Sequence, residues 1–100
     1  MTGALAGLRV IEVCNYVAGP HAGMILADLG AEVIKVEPPD GEFSRSAAPV
    51  GAKGESLYFI TCNRNKKSVV LDLKKPEGRE IFRGLVKRSD VVLDNLRPGA

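Results

Sequence analysis

The chain has 100 residues, of which 45% are hydrophobic and 26% are charged, a composition that fits one small globular domain and excludes a disordered or fibrous protein. A net charge of +2 is too small to indicate nucleic-acid binding, because DNA- and RNA-binding domains concentrate a larger positive charge on one face. No apolar run approaches the roughly 20 residues that cross a bilayer, and no basic segment precedes a long apolar stretch, so we expect a cytoplasmic protein with no membrane partner.

The first third of the chain predicts a strand, a helix and a second strand. Leu8–Val13 is a β-branched apolar run, typical of a strand that is covered on both faces. Helical spacing begins near Gly19, with Pro20 suited to the first helical position and Gly30 placed to end the helix in a left-handed conformation. Glu32–Glu37 then predicts the second strand.

The remainder predicts a long loop followed by a second strand, helix and strand unit. Pro38–Ser56 is rich in Pro, Gly, Ser and Ala, and loops of this length inside small domains are often functional. Leu57–Cys62 fits either a short helix or an extended segment. Ser68–Leu73 predicts a strand, Pro76–Arg88 a helix and Asp90–Leu93 a strand.

This alternation predicts an α/β fold, namely a Rossmann-like parallel sheet with crossover helices. Ligands of such sheets bind at the carboxyl ends of the strands, which here are residues 14–19, 37–40, 72–75 and 94–98. Polar side chains gather at these ends, although strand ends that meet solvent are often polar for that reason alone. They are Asn15, Tyr16, Glu37, Asp72, Lys74, Lys75, Asp94, Asn95 and Arg97.

The turn after the first strand does not match a dinucleotide fingerprint. That fingerprint needs G-x-G-x-x-G directly after the strand, whereas Gly19 and Gly23 come late and in G-x-x-x-G spacing. Gly23 fits close packing of the helix on the sheet better than ligand binding. Tyr16, Val17 and Ala18 form a small apolar shelf, which suits an adenine ring or a thioester chain better than a pyrophosphate.

No catalytic set can be assembled from the titratable residues. His21 is the single histidine and fits a surface or packing position on the helix better than acid–base catalysis. Glu37 fits a structural or solvated acid better than a ribose ligand. Cys14 and Cys62 lie far apart within apolar runs, which indicates buried free thiols, and no cluster has metal-ligand spacing.

Two basic clusters flank the third predicted strand. Arg64, Lys66 and Lys67 precede the strand, at the end of the sheet opposite the expected ligand, and are interpreted as a solvated edge. Lys74 and Lys75 follow the strand on the ligand side. These two ammonium groups fit contact with a ribose phosphate about as well as pairing with nearby acids or solubilising the turn.

Four ordered segments resemble one known family over nearly the whole chain. LAGLRVIEV, AGPHAGMILADLGAEVIKVEPPDGEFSR, NRNKKSVVLDLKKPEGR and SDVVLDNLRPGA resemble the N-terminal part of the family III CoA transferases of the CaiB/BaiF type. This group includes formyl-CoA and carnitine CoA transferases and the related α-methylacyl-CoA racemase. The resemblance implies that residues 1–100 are a partial, Rossmann-like CoA-binding domain of a larger two-domain enzyme, which moves CoA between an acyl-CoA and a carboxylic acid.

The resemblance also implies the partner and the site residues. Family members form interlocked homodimers, and their catalytic aspartate lies beyond the position where this chain stops, so the 100 residues alone are expected to be inactive. The implied CoA contacts are Tyr16, Val17, Ala18, Leu71, Lys74, Asn95, Leu96 and Ala100. Pro38 stands where relatives often have arginine, which leaves Lys74 or Arg45 to meet the phosphate charge.

NRNKKS and DNLRPGA favour the transferase branch of the family over the racemase branch. A racemase-type enzyme is the first alternative. A stand-alone nucleotide-binding or interaction module is the second.

Overall fold

The computed structural model describes residues 3–99 and has an α/β fold with one parallel sheet, as predicted. The elements are β1 (Arg9–Val13), α1 (Ala18–Asp28), β2 (Glu32–Glu37), a 3-10 turn (Phe43–Ser46), α2 (Leu57–Asn63), β3 (Lys67–Val70), α3 (Pro76–Lys87) and β4 (Val91–Asp94). Within the described range, no helix combines the length and the apolar content that crossing a membrane requires.

The four strands lie in the order β3-β2-β1-β4, and every neighbouring pair is parallel. Strands β2 and β3 extend the sheet on one side of β1, and the chain then crosses to the other side to add β4. The direction of strand addition therefore reverses between β1 and β4. Ligand clefts of doubly wound sheets form at this reversal point, outside the carboxyl ends of the strands.

Helices cover both faces of the sheet because the central strands are apolar on both faces. Val10 and Ile11 are consecutive in β1 and fully buried, so their side chains point to opposite faces. Val10 packs with Ala27 and neighbouring residues of α1, whereas Ile11 packs with a cluster that includes Phe82 of α3. Burial of each such aliphatic side chain contributes roughly 1.5–3 kcal/mol.

The helix boundaries follow local hydrogen bonding. Gly30 has φ 107° and its N–H donates to the carbonyl of Ala27, which confirms its role as the left-handed end of α1. The α1 helix begins at Ala18, so Pro20 occupies the third helical position rather than the predicted first; its missing N–H costs nothing within the first turn. Ser56 accepts a hydrogen bond from the N–H of Phe59 and caps α2, so the undecided segment is a helix.

Strand β3 is shorter than predicted. It ends at Val70, whereas the apolar pattern extended it to Leu73. Asp72 explains the difference because it closes a turn: its carboxylate accepts from the N–H of Lys74 at 3.0 Å, and its carbonyl accepts from the N–H of Lys75 at 3.1 Å. The turn leaves Leu71 buried beneath α3 and brings Lys74 to the carboxyl edge of the sheet.

Candidate functional site

An open cleft of about 600 Å³ lies at the carboxyl ends of the strands, where the topology places a ligand. Its walls come from the residues that follow β1, β2 and β3 and from the segment after β4. The lining residues are Val13, Cys14, Asn15, Val36, Glu37, Pro38, Pro39, Asp40, Leu71, Asp72, Leu73, Lys74 and Leu96. Its surface is mixed, with aliphatic side chains beside one lysine and several acids.

Three of the residues assigned to the ligand from the sequence line this cleft. Leu71 is buried at the end of β3, and Leu96 follows β4 with 39% of its surface exposed. Lys74 is exposed on the rim. Within residues 3–99, no ion pair joins Lys74 to another side chain, so its ammonium group is available to a bound anion.

The predicted shelf after β1 lies outside the lining of the cleft and is partly aromatic. Tyr16 has φ 68°, a left-handed conformation that is uncommon for residues other than glycine. Its ring packs against Phe43 with centroids 4.8 Å apart and against Tyr58 at 5.5 Å. Val17 and Ala18 are exposed where α1 begins. Sequence reasoning missed Phe43 and Tyr58, because both come from segments whose structure the sequence left undefined.

Asn95 joins the ends of β1 and β4 across the reversal point of the sheet. Its Oδ1 accepts from the N–H of Asn15 at 2.9 Å, and its Nδ2 donates to the carbonyl of Asn15 at 2.8 Å. The side chain therefore acts like an extra backbone pair that fixes the separation of the two loops. Ala100, the last residue assigned to the ligand, lies outside the described residues.

Glu37 is a buried structural acid. Its carboxylate is occupied by contacts within the protein, which favours the structural role over the role of a ribose ligand. Its carboxylate receives a bidentate ion pair from Arg45, at 2.6 and 2.7 Å, together with the N–H of Glu42 at 3.0 Å and the hydroxyl of Ser68. Burial alone would raise the pKa of Glu37, but these four hydrogen bonds lower it to about 2. Arg45 is occupied by this pair and by the ring of Phe59, 3.9 Å from its guanidinium carbon.

Four charged side chains form a buried network, named here the Glu12 network, which consists of Glu12, Lys35, Lys66 and Glu42. Lys66 lies 2.5 Å from one oxygen of Glu12, and Lys35 lies 2.9 Å from the other. Lys35 also lies 3.1 Å from Glu42. All four side chains are at most 2% exposed. The interpretation of Lys66 as part of a solvated edge was therefore wrong.

The rest of that basic cluster is exposed, as expected. Arg64 pairs with Asp28 and Lys67 pairs with Glu32, each at the surface. Lys66 differs because its Nζ also donates to the carbonyl of Pro20 at 2.8 Å, which draws the side chain under α1. Burial lowers the pKa of Lys66, and the hydrogen bond to the Glu12 carboxylate offsets part of that effect.

The two thiols are buried and free, as predicted. Cys14 donates to the carbonyl of Leu93 at 3.3 Å. Burial and the nearby Glu12 carboxylate raise the pKa of the Cys14 thiol to about 12, so it is protonated at neutral pH and is a poor nucleophile. His21 is exposed on α1. Among residues 3–99, no three His, Cys, Asp or Glu side chains come together as a metal site.

The strand order and the position of the cleft define a doubly wound α/β protein with an open cleft where its strand order reverses. Comparison with known proteins specifies the family. The family model described as CoA-transferase family III matches residues 5–100. The chain belongs to CoA-transferase family III.

Individual proteins that are similar to this chain are also CoA-transferases. The chain is 46% identical to the succinyl-CoA:mesaconate CoA-transferase of Haloarcula hispanica, with 97% of this chain and 26% of the relative covered. It is 43% identical to the formyl-CoA:oxalate CoA-transferase of Streptomyces avermitilis, with 100% and 24% covered. The chain thus spans about a quarter of the length of these relatives, in their N-terminal portion.

Solved structures share the fold over almost the whole chain. A CAIB/BAIF family protein from Brucella suis superposes with a TM-score of 0.91 at 43% identity, with 99% of this chain and 27% of that one covered. Rv3272 from Mycobacterium tuberculosis superposes with a TM-score of 0.89 at 45% identity, with 98% and 27% covered.

Proposed function

We propose that residues 1–100 form the CoA-binding part of an acyl-CoA:carboxylate CoA transferase. The observation that carries this proposal is the family match over residues 5–100. The cleft at the carboxyl edge of the sheet supports it, because a CoA nucleotide needs apolar surface for its ring and pantetheine arm together with a cation for its phosphates.

The proposed CoA contacts are those that the resemblance implies. They are Tyr16, Val17, Ala18, Leu71, Lys74, Asn95, Leu96 and Ala100. Leu71 and Leu96 offer apolar surface for the adenine ring or the pantetheine arm, and Lys74 can pair with a phosphate. Asn95 contributes by holding the β1 and β4 ends at a fixed separation.

The transfer chemistry needs groups that these 100 residues do not supply. The resemblance places the catalytic aspartate after residue 100 and implies an interlocked homodimer, and both are part of this proposal. The two relatives named above are a succinyl-CoA:mesaconate and a formyl-CoA:oxalate CoA-transferase, and mesaconate and oxalate are both dicarboxylic acids. We therefore propose a short dicarboxylic acid as the acceptor.

The activity is tested on the intact gene product, incubated with succinyl-CoA and a panel of free acids. New acyl-CoA should form with dicarboxylic acids such as oxalate, mesaconate or glutarate, and not with acetate or benzoate. Transfer to monocarboxylic acids only would contradict the acceptor class. Exchange of the α-proton of a 2-methylacyl-CoA without loss of the thioester would instead identify the racemase branch, and no reaction with any acid from a folded protein would refute the transferase assignment.

The CoA site is tested by titration calorimetry with CoA and with dephospho-CoA, which lacks the ribose phosphate. Lys74→Met should weaken CoA binding by about two- to fivefold, as expected for loss of one exposed ion pair. It should leave dephospho-CoA binding unchanged. Lys75→Met is the matched control, because Lys75 is exposed one residue further on and does not line the cleft. Equal effects of both substitutions on both ligands would reject Lys74 as a phosphate contact.

A further inference from the structure

The Glu12 network ties the long loop after β2 to the sheet. Glu12 lies on β1 and Lys35 on β2, whereas Glu42 belongs to the loop. Lys35 also donates to the carbonyl of Cys14 at 3.2 Å, at the end of β1. A single ammonium group thus contacts the central strand, the turn that follows it and the loop.

Glu42 connects the buried charges to the backbone of the loop through hydrogen bonds. Its carboxylate accepts from the N–H of Ser44 at 2.6 Å and caps the 3-10 turn, while its own N–H donates to Glu37 at 3.0 Å. The next residue is Phe43, which is 57% exposed and packs its ring on Tyr16. The position of Phe43 is therefore set by a buried ion pair rather than by burial of its own ring.

Tyr16 needs such support because its backbone is strained. A left-handed conformation at a residue other than glycine costs of order 1 kcal/mol and persists where surrounding contacts impose it. Phe43 and Tyr58 supply those contacts on the Tyr16 ring. The turn that they hold leads directly into Val17 and Ala18, the segment that the proposed function assigns to CoA.

We propose that Lys35 and Glu42 are positioning residues, which order the loop and, through Phe43, hold the Tyr16–Ala18 turn in its CoA-binding conformation. This inference rests on the proposed function for its link to CoA. The energetics of buried ion pairs favour a positioning role over a purely stabilising one. Well-packed apolar residues often stabilise a fold as well as a buried ion pair does, but they lack its directional hydrogen bonds.

The test compares Lys35→Met/Glu42→Gln with the unaltered protein, using the intact gene product. The double substitution removes one positive and one negative charge, so the Glu12 and Lys66 pair stays balanced and the fold should keep one cooperative unfolding transition. Amide hydrogen exchange of residues 38–47 should accelerate by roughly tenfold or more. The dissociation constant for CoA should rise by about tenfold.

The exposed pair of Glu80 and Arg83 on α3 provides the matched control. Glu80→Gln should change neither the loop exchange nor CoA binding. Unchanged exchange of residues 38–47 in the double variant would overturn the proposal, and so would faster exchange with unchanged CoA affinity. If the unaltered protein does not bind CoA, the proposed function fails together with the link to CoA, and the exchange rates alone decide whether the network orders the loop.

A second variant covers the case in which the double variant does not fold. Phe43→Ala removes a ring that is mostly exposed and leaves the buried charges in place. It should accelerate exchange at residues 16–18 and weaken CoA binding by a factor similar to that of the double variant. Unchanged CoA affinity of this variant would overturn the role of Phe43 as the connection between the network and the turn.

Discussion

Glu37 illustrates at the scale of one residue how burial and hydrogen bonding compete. Removal from water disfavours a carboxylate, yet two guanidinium nitrogens of Arg45, the backbone N–H of Glu42 and the hydroxyl of Ser68 donate to this one and hold it in the charged form. The Glu37 side chain is only 1% exposed, but the Arg45 side chain is 46% exposed, so solvent screens the pair in part. The resulting low pKa connects the stability of the fold to pH.

The sign of that connection follows from the pKa of Glu37, which falls from an ordinary 4.5 to about 2 in the folded chain. The stabilisation is at most about 3 kcal/mol, because solvent around the half-exposed Arg45 reduces it; it is complete above the unfolded value and is lost as the pH falls from 4.5 toward 2. Glu37→Gln should lower the free energy of unfolding at pH 7 by about 1–3 kcal/mol, because it removes the charge-assisted hydrogen bonds while the half-exposed Arg45 that remains can be solvated. The substitution should also make the free energy of unfolding depend less on pH between pH 4.5 and pH 2.

Urea unfolding of Glu37→Gln in the intact gene product, measured at pH 7 and at pH 3, checks both expectations. Glu80→Gln serves as the control, since it makes the same chemical change in a pair whose side chains are both at least 65% exposed. An acid dependence of Glu37→Gln as steep as that of the unaltered chain would show that another group controls acid unfolding.

At the scale of elements, the start of α3 depends on a close approach that only glycine permits. Gly78 is buried in the first turn of α3, and a Cβ at this position would overlap the backbone carbonyl of Asp72. The same carbonyl accepts from Lys75 and closes the turn after β3. The tight turn and the early end of β3 are therefore one feature, which places Lys74 at the cleft.

Two glycines of the same helix should respond in opposite ways to alanine. Gly78→Ala should destabilise the fold by about 1–3 kcal/mol, because backbone must move to admit the methyl group. Gly84→Ala should stabilise it by roughly 0.5–1 kcal/mol, because a Cβ there meets no atom within 4 Å and alanine favours a helix. Urea unfolding of the two variants of the intact gene product measures both changes in stability. Equal effects of the two substitutions would contradict the steric explanation.

At the scale of the whole molecule, the outer strands carry exposed apolar side chains. Val70 on β3 is 58% exposed, and Val92 on β4 is 48% exposed. Edge strands with such surfaces pair readily with other chains. Produced by themselves, the 100 residues should be only marginally stable and should self-associate.

Val92→Lys should shift that equilibrium toward the monomer, because a charge at a sheet edge opposes edge-to-edge pairing. Light scattering after size-exclusion chromatography measures the mass. Ala52→Lys is the matched control, since it adds the same charge on an exposed loop remote from the sheet edges in sequence. A dilute monomer with a sharp two-state unfolding transition would contradict the expected marginal stability.

Much of the fold could be predicted from the sequence because the strands are short apolar runs and characteristic residues mark where the helices start and end. Pro76 and Glu77 start α3, and Gly30 ends α1, as expected from backbone conformation and the helix dipole. The end of β3 could not be placed, because Leu71 and Leu73 remain apolar after the strand has ended. These two side chains are apolar because they pack beneath α3. An apolar run in the sequence does not show whether its residues are buried by a helix or belong to a strand.

The location of the cleft could be predicted from the sequence, whereas the residues that line it could be predicted only in part. Parallel strands bring their carboxyl ends to one edge, so residues after β1, β3 and β4 had to meet there. Lys66 was misassigned because a lysine next to two exposed basic residues has no local sign of burial. Its partner Glu12 lies more than fifty positions away in the chain.

The sequence by itself determined the order of the elements, the parallel sheet and the edge that carries the cleft, because hydrophobic period and helix-ending residues act over a few positions. Only the tertiary structure decided which charges are buried. Glu12, Lys35, Lys66 and Glu42 meet because β1, β2, the segment before β3 and the loop after β2 converge on one volume. Whether a charged side chain is solvated or paired depends on neighbours that are distant in the chain. The sequence around the charged residue does not indicate which neighbours these are.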